Sequence, residues 1–289
     1  MTNIYGTIGY TLFKNPNTNN KIIILADMHD RLPECINQTN ISDWFESKFH
    51  SSKILLEEVP RESVTLHELW PESPHTQKLK NLFLKNQNII HAVDIRPYLV
   101  PFSWEILSEL KTSTEEVYDI VLKKYLEKIN KFFSMKDQYF IEKLPNYNLE
   151  KMKHTKLGKH FLILKKKCKN FLKNYSKSLN LKIKLIYQNN INLLNDLSII
   201  LDEIMEWYIC ANIELYSYKS IILHTGLAHS DNVIKLLKNH YNYKIEDSVG
   251  INSMDEVISI PMSGCVELPI NIENQFGGII SDYNIGFYN

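Results

Sequence analysis

Four short apolar runs in this chain each stop abruptly at ionisable residues. Ile22–Leu25 leads into Ala26-Asp27-Met28-His29-Asp30, and Ile54–Leu56 leads into Glu57-Glu58. Ile89–Val93 leads into Asp94-Ile95-Arg96, and Ile221–Leu223 leads into His224-Thr225-Gly226-Leu227-Ala228-His229. Continuous aliphatic runs of this length belong to strands buried on both faces, as in a parallel sheet covered by helices. Helices are expected between them over 40–49 after Asn40, over 75–87 after Pro74 and over 230–240 after His229.

The middle of the chain carries a different period. Between residues 102 and 225 the only helix breakers are Pro145 and Gly158. Leu157, Phe161, Leu164, Cys168, Phe171, Tyr175 and Leu179 recur at steps of three and four, as do Leu194, Leu197, Leu201, Ile204, Tyr208, Ala211 and Leu215. Both are helical stripes, most simply core or helix-pairing seams. From Tyr243 on, Val257, Ile258 and Ile260 alternate weakly, which suggests an edge hairpin or a covering tail. The pattern predicts an α/β fold: a central, mostly parallel or mixed sheet flanked by helices, with a large helical insertion before the last core strand. The corresponding divisions are 1–104 and 220–289 for the core, the latter with the tail, and 105–219 for the insertion.

Composition narrows the function classes. The chain has 289 residues, is 44% hydrophobic and is formally neutral, which suits a globular protein with a substantial core. Its 9 glycines are about 3% of the chain, against a usual ~7%. Neither GxGxxG nor GxxxxGK[ST] occurs, so the usual marks of dinucleotide and P-loop sites are missing. No leader-like segment opens the sequence, and every apolar stretch is broken well short of the ~20 residues that span a bilayer. Cys35, Cys168, Cys210 and Cys265 lie far apart with no CxxC pair, so neither a disulfide framework nor a cysteine-based zinc site is suggested. A soluble protein of the cytoplasm or another reducing, intracellular compartment is the resulting expectation. The Asn- and Lys-rich, Gly-poor composition resembles products of AT-rich genomes, including large DNA viruses, in which case a place in the virion is a further location.

Neutrality conceals a segregation of charge. Residues 151–190 hold twelve lysines and no acidic residue; removing these from the 33 basic residues leaves 21 against 33 acidic ones. Such a segment is either a solvated helix face or a positive field for phosphates, anionic lipid or an acidic partner. Aromatic residues are not interleaved in a recognised nucleic-acid motif, so nucleic acid is not strongly indicated.

In open α/β sheets, ligands bind beyond the carboxyl ends of the parallel strands. All four expected strands deliver polar groups there: Asp27, His29 and Asp30; Glu57 and Glu58; Asp94 and Arg96; His224 and His229. One acidic residue after a strand is commonly a helix cap, but four strand ends carrying His, carboxylate and Arg point to a site. Imidazole and carboxylate together suit a divalent metal such as Zn, Mn or Co, whose bound water would attack a carbonyl or phosphoryl centre. A spare carboxylate would serve as general base. Arg96 would clamp an anion or oxyanion, or else form a buried salt bridge to Asp94 or Asp27. His224 reads as a core histidine.

Taken together, these segments resemble the erythromycin esterase/ChaN-like superfamily, to which the TraB/PrgY and Tiki proteins are related. Its pattern is a G-x-x-H element after the first strand, a Glu after the next, an Arg further on and a late G-x-x-H. The counterparts are Ala26-Asp27-Met28-His29, Leu56-Glu57-Glu58-Val59, Asp94-Ile95-Arg96 and Gly226-Leu227-Ala228-His229, over roughly 20–100 and 220–240. Ala26 replaces the family's Gly, and Asp27 stands where ChaN-like members carry Glu. The resemblance implies several outcomes on one scaffold: metal-dependent proteolysis in Tiki-type members, lactone hydrolysis in esterase-type members and haem binding in ChaN-like members. It places His29, His229 and either Glu57 or Glu58, with Glu58 preferred, on a metal.

The expectation is therefore a hydrolase of an ester, amide or related bond, acting on a small molecule or peptide. His29, Glu58 and His229 hold the metal, and Asp27, Glu57 and Arg96 serve catalysis. A metal-free form would use His29 and His229 as acid and base. The alternative is a non-catalytic binding or virion protein on the same scaffold, with haem or a partner docked to it.

Overall fold

The computed structural model describes residues 1–59, 74–96, 154–180, 186–215 and 219–277. Residues 105–153, 181–185 and 216–218 of the expected helical insertion lie outside the described residues, and with them Lys151, Lys153, Lys182 and Lys184 of the lysine-rich segment.

A six-stranded sheet forms the centre, in the order β6 (Ile90–Ala92), β5 (Lys53–Leu56), β7 (Ser220–Gly226), β3 (Lys21–Asp27), β2 (Gly9–Lys14), β8 (Lys244–Gly250). Its parallel half consists of β3 (Lys21–Asp27), β5 (Lys53–Leu56), β6 (Ile90–Ala92) and β7 (Ser220–Gly226), the four strands that the apolar runs predict. Alternate residues serve opposite faces of the pleat. Ile22, Ile24, Leu55, Ile221 and Leu223 enter one core, whereas Ile23, Leu25, Ile54, Leu56 and Ile222 enter the other. Burial on both faces explains why these strands read as unbroken apolar runs rather than as an alternation.

Helices α1 (Ile41–Glu46) and α2 (Pro74–Lys85) contribute to one core. The Asn40 side chain caps α1 by accepting from the Ser42 amide, and Ile41, Trp44 and Phe45 are buried. On the other face lie α3 (Lys156–Asn180), α4 (Ile186–Leu215) and α5 (Leu227–Asn239). Part of each sequence stripe is a packed face: Leu157, Phe161, Leu164 and Cys168 on α3 are buried in one core with Leu201, Ile204, Tyr208 and Ala211 on α4, while the side chains of Tyr175, Leu179, Leu194 and Leu197 lie outside the described ones. Met205, Trp207, Ile209 and Ile213 are buried too, so the C-terminal half of α4 is enclosed on more sides than one stripe requires.

Three features depart from the expectation. The chain opens with two strands, β1 (Thr2–Tyr5) and β2 (Gly9–Lys14); β2 runs antiparallel to β3 and makes the sheet mixed. The C-terminal region supplies an edge strand, β8 (Lys244–Gly250), paired with β2. It then forms a 3-10 helix over Met254–Ile258, where alternation suggests an edge hairpin or a covering tail. A small second sheet joins β4 (Gln38–Asn40), β1 and β9 (Cys265–Leu268).

The third departure concerns the cysteines. Cys35 and Cys265 form a disulfide, with Cα atoms 6.3 Å apart and 230 residues between them in sequence. The pairing of β1 with both β4 and β9 brings these distant segments together, a proximity that spacing alone cannot show. Cysteine usage therefore no longer argues for a reducing compartment. Among the described residues, no helix is long and apolar enough to cross a membrane.

Candidate functional site

The four parallel strands end at one edge of the sheet. Asp27 pairs with Gly226, and Leu56 pairs with both His224 and Ala92, so the residues that follow share a single rim. Backbone bonds from the Glu57 amide to the His224 carbonyl (3.0 Å) and from the Asp94 amide to the Glu58 carbonyl (3.0 Å) extend that register into the connecting segments.

Glu57 lies at the middle of the cluster. One carboxylate oxygen, Oε2, accepts from the Gly226 amide at 2.6 Å and lies 3.4 Å from His29 Nε2. The other, Oε1, accepts from Arg96 Nη2 at 3.1 Å and lies 3.7 Å from His229 Nε2. Burial would raise the Glu57 carboxyl, but the His29 hydrogen bond and the charges of His229, His29 and Arg96 hold it well below the usual carboxylate range. Gly226 is required by this approach: a Cβ there would fall 2.7 Å from His29 Nε2.

Arg96 locks the cluster together. Nε and Nη2 reach Asp94 at 2.8 and 3.0 Å, Nη1 reaches Asp202 at 2.7 Å and His229 Nε2 at 2.9 Å, and Nη2 also reaches Glu57. These contacts engage all five N–H donors, and the residue is 4% exposed. Of the two roles open to Arg96, the geometry is that of a buried ion-pair hub, and its main partner is Asp94. Because a guanidinium only donates, His229 Nε2 accepts, which places the His229 proton on Nδ1, facing Glu206 Oε1 at 3.2 Å. Burial would lower the His229 pKa, but Glu206 and Glu57 raise it.

His29 differs from the other members in exposure. Its ring stands between Asp27 and Glu57, with Nδ1 3.1 Å from Asp27 Oδ2, and its side chain is 36% exposed. Burial of the rest of the ring would depress its pKa, but the two flanking carboxylates push it up to about 10. Its backbone lies in the left-handed region, at φ 52°. Such a conformation in a non-glycine residue costs on the order of 1–3 kcal/mol and is characteristic of functional loops. Asp27 is fully buried, and its Oδ1 accepts from the Met28 amide and His75 Nε2, both at 2.8 Å. Among the described residues, Oδ2 accepts no well-directed hydrogen bond, and His29 Nδ1 lies 3.1 Å from it. Burial would raise the Asp27 carboxyl, yet His29 and His75 hold it far below its ordinary value.

The structure thus gathers Asp27, His29, Glu57, Arg96 and His229 into one contiguous network. Glu57, rather than the preferred Glu58, is the carboxylate within 4 Å of both histidines. The reason is a turn: the Glu57 amide stays bonded to β7, while the Glu58 amide folds back onto the Leu56 carbonyl at 2.7 Å. His224 is a core histidine, 1% exposed, hydrogen-bonded through Nε2 to the Gly6 carbonyl at 3.1 Å and edge-on to Phe45. Its pKa falls because burial disfavours the imidazolium.

Sequence reasoning missed His75, Asp202 and Glu206. All three come from helices, and only Glu206 carried a signal: a carboxylate inside the buried stretch Ile204–Ala211, itself 4% exposed.

A metal ligand must present a lone pair. On His229, Nε2 is occupied by Arg96 and Nδ1 points at Glu206; on His29, both nitrogens face carboxylates that favour the imidazolium. Among the described residues no group of three or more His, Cys, Asp or Glu side chains is placed to hold a metal. The expected trio of His29, Glu58 and His229 is not gathered into such a group.

No protein-family model matches the chain, and no curated protein or solved structure is similar enough to it to count as a match.

Proposed function

We propose that the protein is a hydrolase of an ester, amide or related bond in which His29 is the acid/base group. The observation that carries this reading is one partly exposed imidazole, held between two buried carboxylates at the carboxyl rim of a parallel sheet. The resemblance to esterase-type members of the erythromycin esterase/ChaN-like superfamily supports the same class.

The chemistry follows from the pairing. His29 Nε2 and Glu57 Oε2, 3.4 Å apart, are too close for a water between them, but a water seated beside the pair on the exposed side of the ring would reach both. As that water attacks the carbonyl carbon, its proton passes to Glu57 and its oxygen bonds to the acyl group. His29 gives the Nε2 proton to the leaving alkoxide or amine, and the bond to the leaving group breaks. Losing the imidazolium charge raises the basicity of Glu57, so the two transfers assist one another. The proton on Glu57 then returns to His29, which restores both groups. Asp27 keeps the ring in place through Nδ1, and Arg96 and His229 position Glu57.

A panel of activated aryl esters, lactones and peptides tests the proposal. His29→Gln and Glu57→Gln are each expected to reduce turnover on the order of 100- to 10,000-fold with the fold retained by circular dichroism. Adding chelator or Zn, Mn or Co should leave the rate unchanged. Turnover that depends on added metal would restore the metal-dependent reading. If no member of the panel is hydrolysed, the cluster is a structural ion network that closes the sheet end, as in the binding-protein alternative.

A further inference from the structure

The outer face of α3 takes no part in the proposed chemistry, yet it is the most one-sided surface of the described protein. Leu157, Phe161, Leu164 and Cys168 point inward onto α4. On the opposite side, Lys159, Lys166 and Lys173 are seven residues apart and exposed, forming one row along the helix. The row spans roughly 21 Å at 1.5 Å per residue. Lys169 is exposed beside it, and so are two aliphatic side chains, Leu162 at 52% and Ile163 at 56%. Ile199 of α4, 50% exposed, lines a cavity of about 410 Å³ together with Ile163, and Asp202, Glu203 and Glu206 mark the acidic border of the lysine face there.

The charge on this face is not compensated. Lys167 is paired with Glu203 of α4, but Lys159, Lys166, Lys169 and Lys173 form no ion pair among the described residues. No acidic residue occurs anywhere in 151–190, so the helix carries nothing that would neutralise them from its own length. Every cation in that segment other than histidine is lysine, with no arginine, and the exposed row contains no aromatic residue.

From this face we infer that α3 is a peripheral docking surface for an anionic lipid membrane. Lysines on flexible stems suit a diffuse negative surface, and Leu162 and Ile163 supply apolar side chains that enter the headgroup boundary. Nucleic acid is the poorer fit: the fork geometry of arginine and the stacking of aromatic rings, on which base and phosphate recognition draw, are absent from the row, and exposed aliphatic groups gain nothing there. A straight helix lying parallel to the membrane presents the lysine row and the aliphatic pair to one plane at the same time.

Co-sedimentation of the full chain with vesicles tests the inference. Binding is expected to phosphatidylserine-rich vesicles and not to pure phosphatidylcholine vesicles, and it should weaken with added salt. Each lysine near an anionic leaflet contributes on the order of a five-fold gain in partitioning, so K159E/K166E/K173E should reduce it by at least about 100-fold. L162S/I163S should weaken binding while preserving its salt dependence. All variants are solvent-facing, and circular dichroism with thermal melting verifies that each is folded. No binding to the anionic vesicles, equal binding to both vesicle types, or binding unaffected by the triple variant would overturn the inference. So would a duplex DNA or RNA that binds more tightly than the vesicles and is lost with the same lysines, which would make the face a nucleic-acid surface.

Discussion

His29 and His229 face the same carboxylate from different kinds of support. His29 stands on a loop after β3, in a left-handed backbone conformation, with over a third of its side chain exposed and carboxylates on both nitrogens. His229 stands in the first turn of α5, 12% exposed, its tautomer set by Arg96 on one nitrogen and Glu206 on the other. Under the proposed hydrolase reading, the loop imidazole is the one that changes its protonation. The loop histidine has a proton to give and access to solvent, whereas the helix histidine has its lone pair consumed by a guanidinium. Two histidines in matching sequence contexts, each ending an x-x-x-H element after a strand, are thus assigned unequal work by their surroundings.

The largest expected effect comes from removing what both sides share. Arg96→Ala leaves Asp94, Glu57 and Asp202 without their common counter-charge, and breaking a buried pair of this kind costs about 3–5 kcal/mol. Urea denaturation should show that loss with an unchanged slope, whereas a loss under about 1 kcal/mol would mean that the cluster is more hydrated than its geometry indicates.

Next in size is the tether of the His29 loop. The Cys35–Cys265 bridge closes a long loop of chain, so Cys35→Ser should lower stability by about 2–4 kcal/mol. If the comparison is right, the same substitution depresses turnover more than it disturbs the His229 side, which is carried on a helix. A count of two reactive thiols, Cys168 and Cys210, in the denatured unreduced protein checks that the bridge forms; a count of four would show that it does not.

A smaller effect separates the histidines by pH. His29 has a raised folded pKa, so its contribution to stability is complete below about 6.5, erodes as pH rises and is gone above about 10. Asp27 and Glu57 have depressed values, so their contribution is present above their ordinary values of 3.8 and 4.5 and is lost as pH falls. Melting temperatures across pH should therefore decline on both sides of a plateau between about 4.5 and about 6.5. His29→Gln should flatten most of the alkaline decline, and an unchanged alkaline limb would show that His29 is not the group responsible.

How far the sequence reveals this arrangement depends on what each residue's signal rests on. The parallel strands are legible because burial on both faces leaves an unbroken apolar run, and the rim chemistry is legible because polar residues follow those runs immediately. Strands β1 and β2 are hidden because polar residues interrupt them: Thr2 and Asn3 leave β1 two apolar residues, and Thr11 splits the apolar run of β2 although it is itself buried. His75, Asp202 and Glu206 reach the site from helices, where no strand end advertises them. The choice between Glu57 and Glu58 depends on a single turn at the end of β5, and the role of Arg96 depends on how many of its donors are already taken. The disulfide joins segments 230 residues apart, which only the topology of the small sheet brings together.

The central claim is that His29 is a proton-carrying imidazolium held between Asp27 and Glu57. Titration of the histidine ring resonances by NMR, assigned with His29→Gln, tests it most directly. The account predicts a His29 pKa near 10 that drops markedly in Glu57→Gln. A value near the ordinary 6.5, indifferent to Glu57, would contradict it.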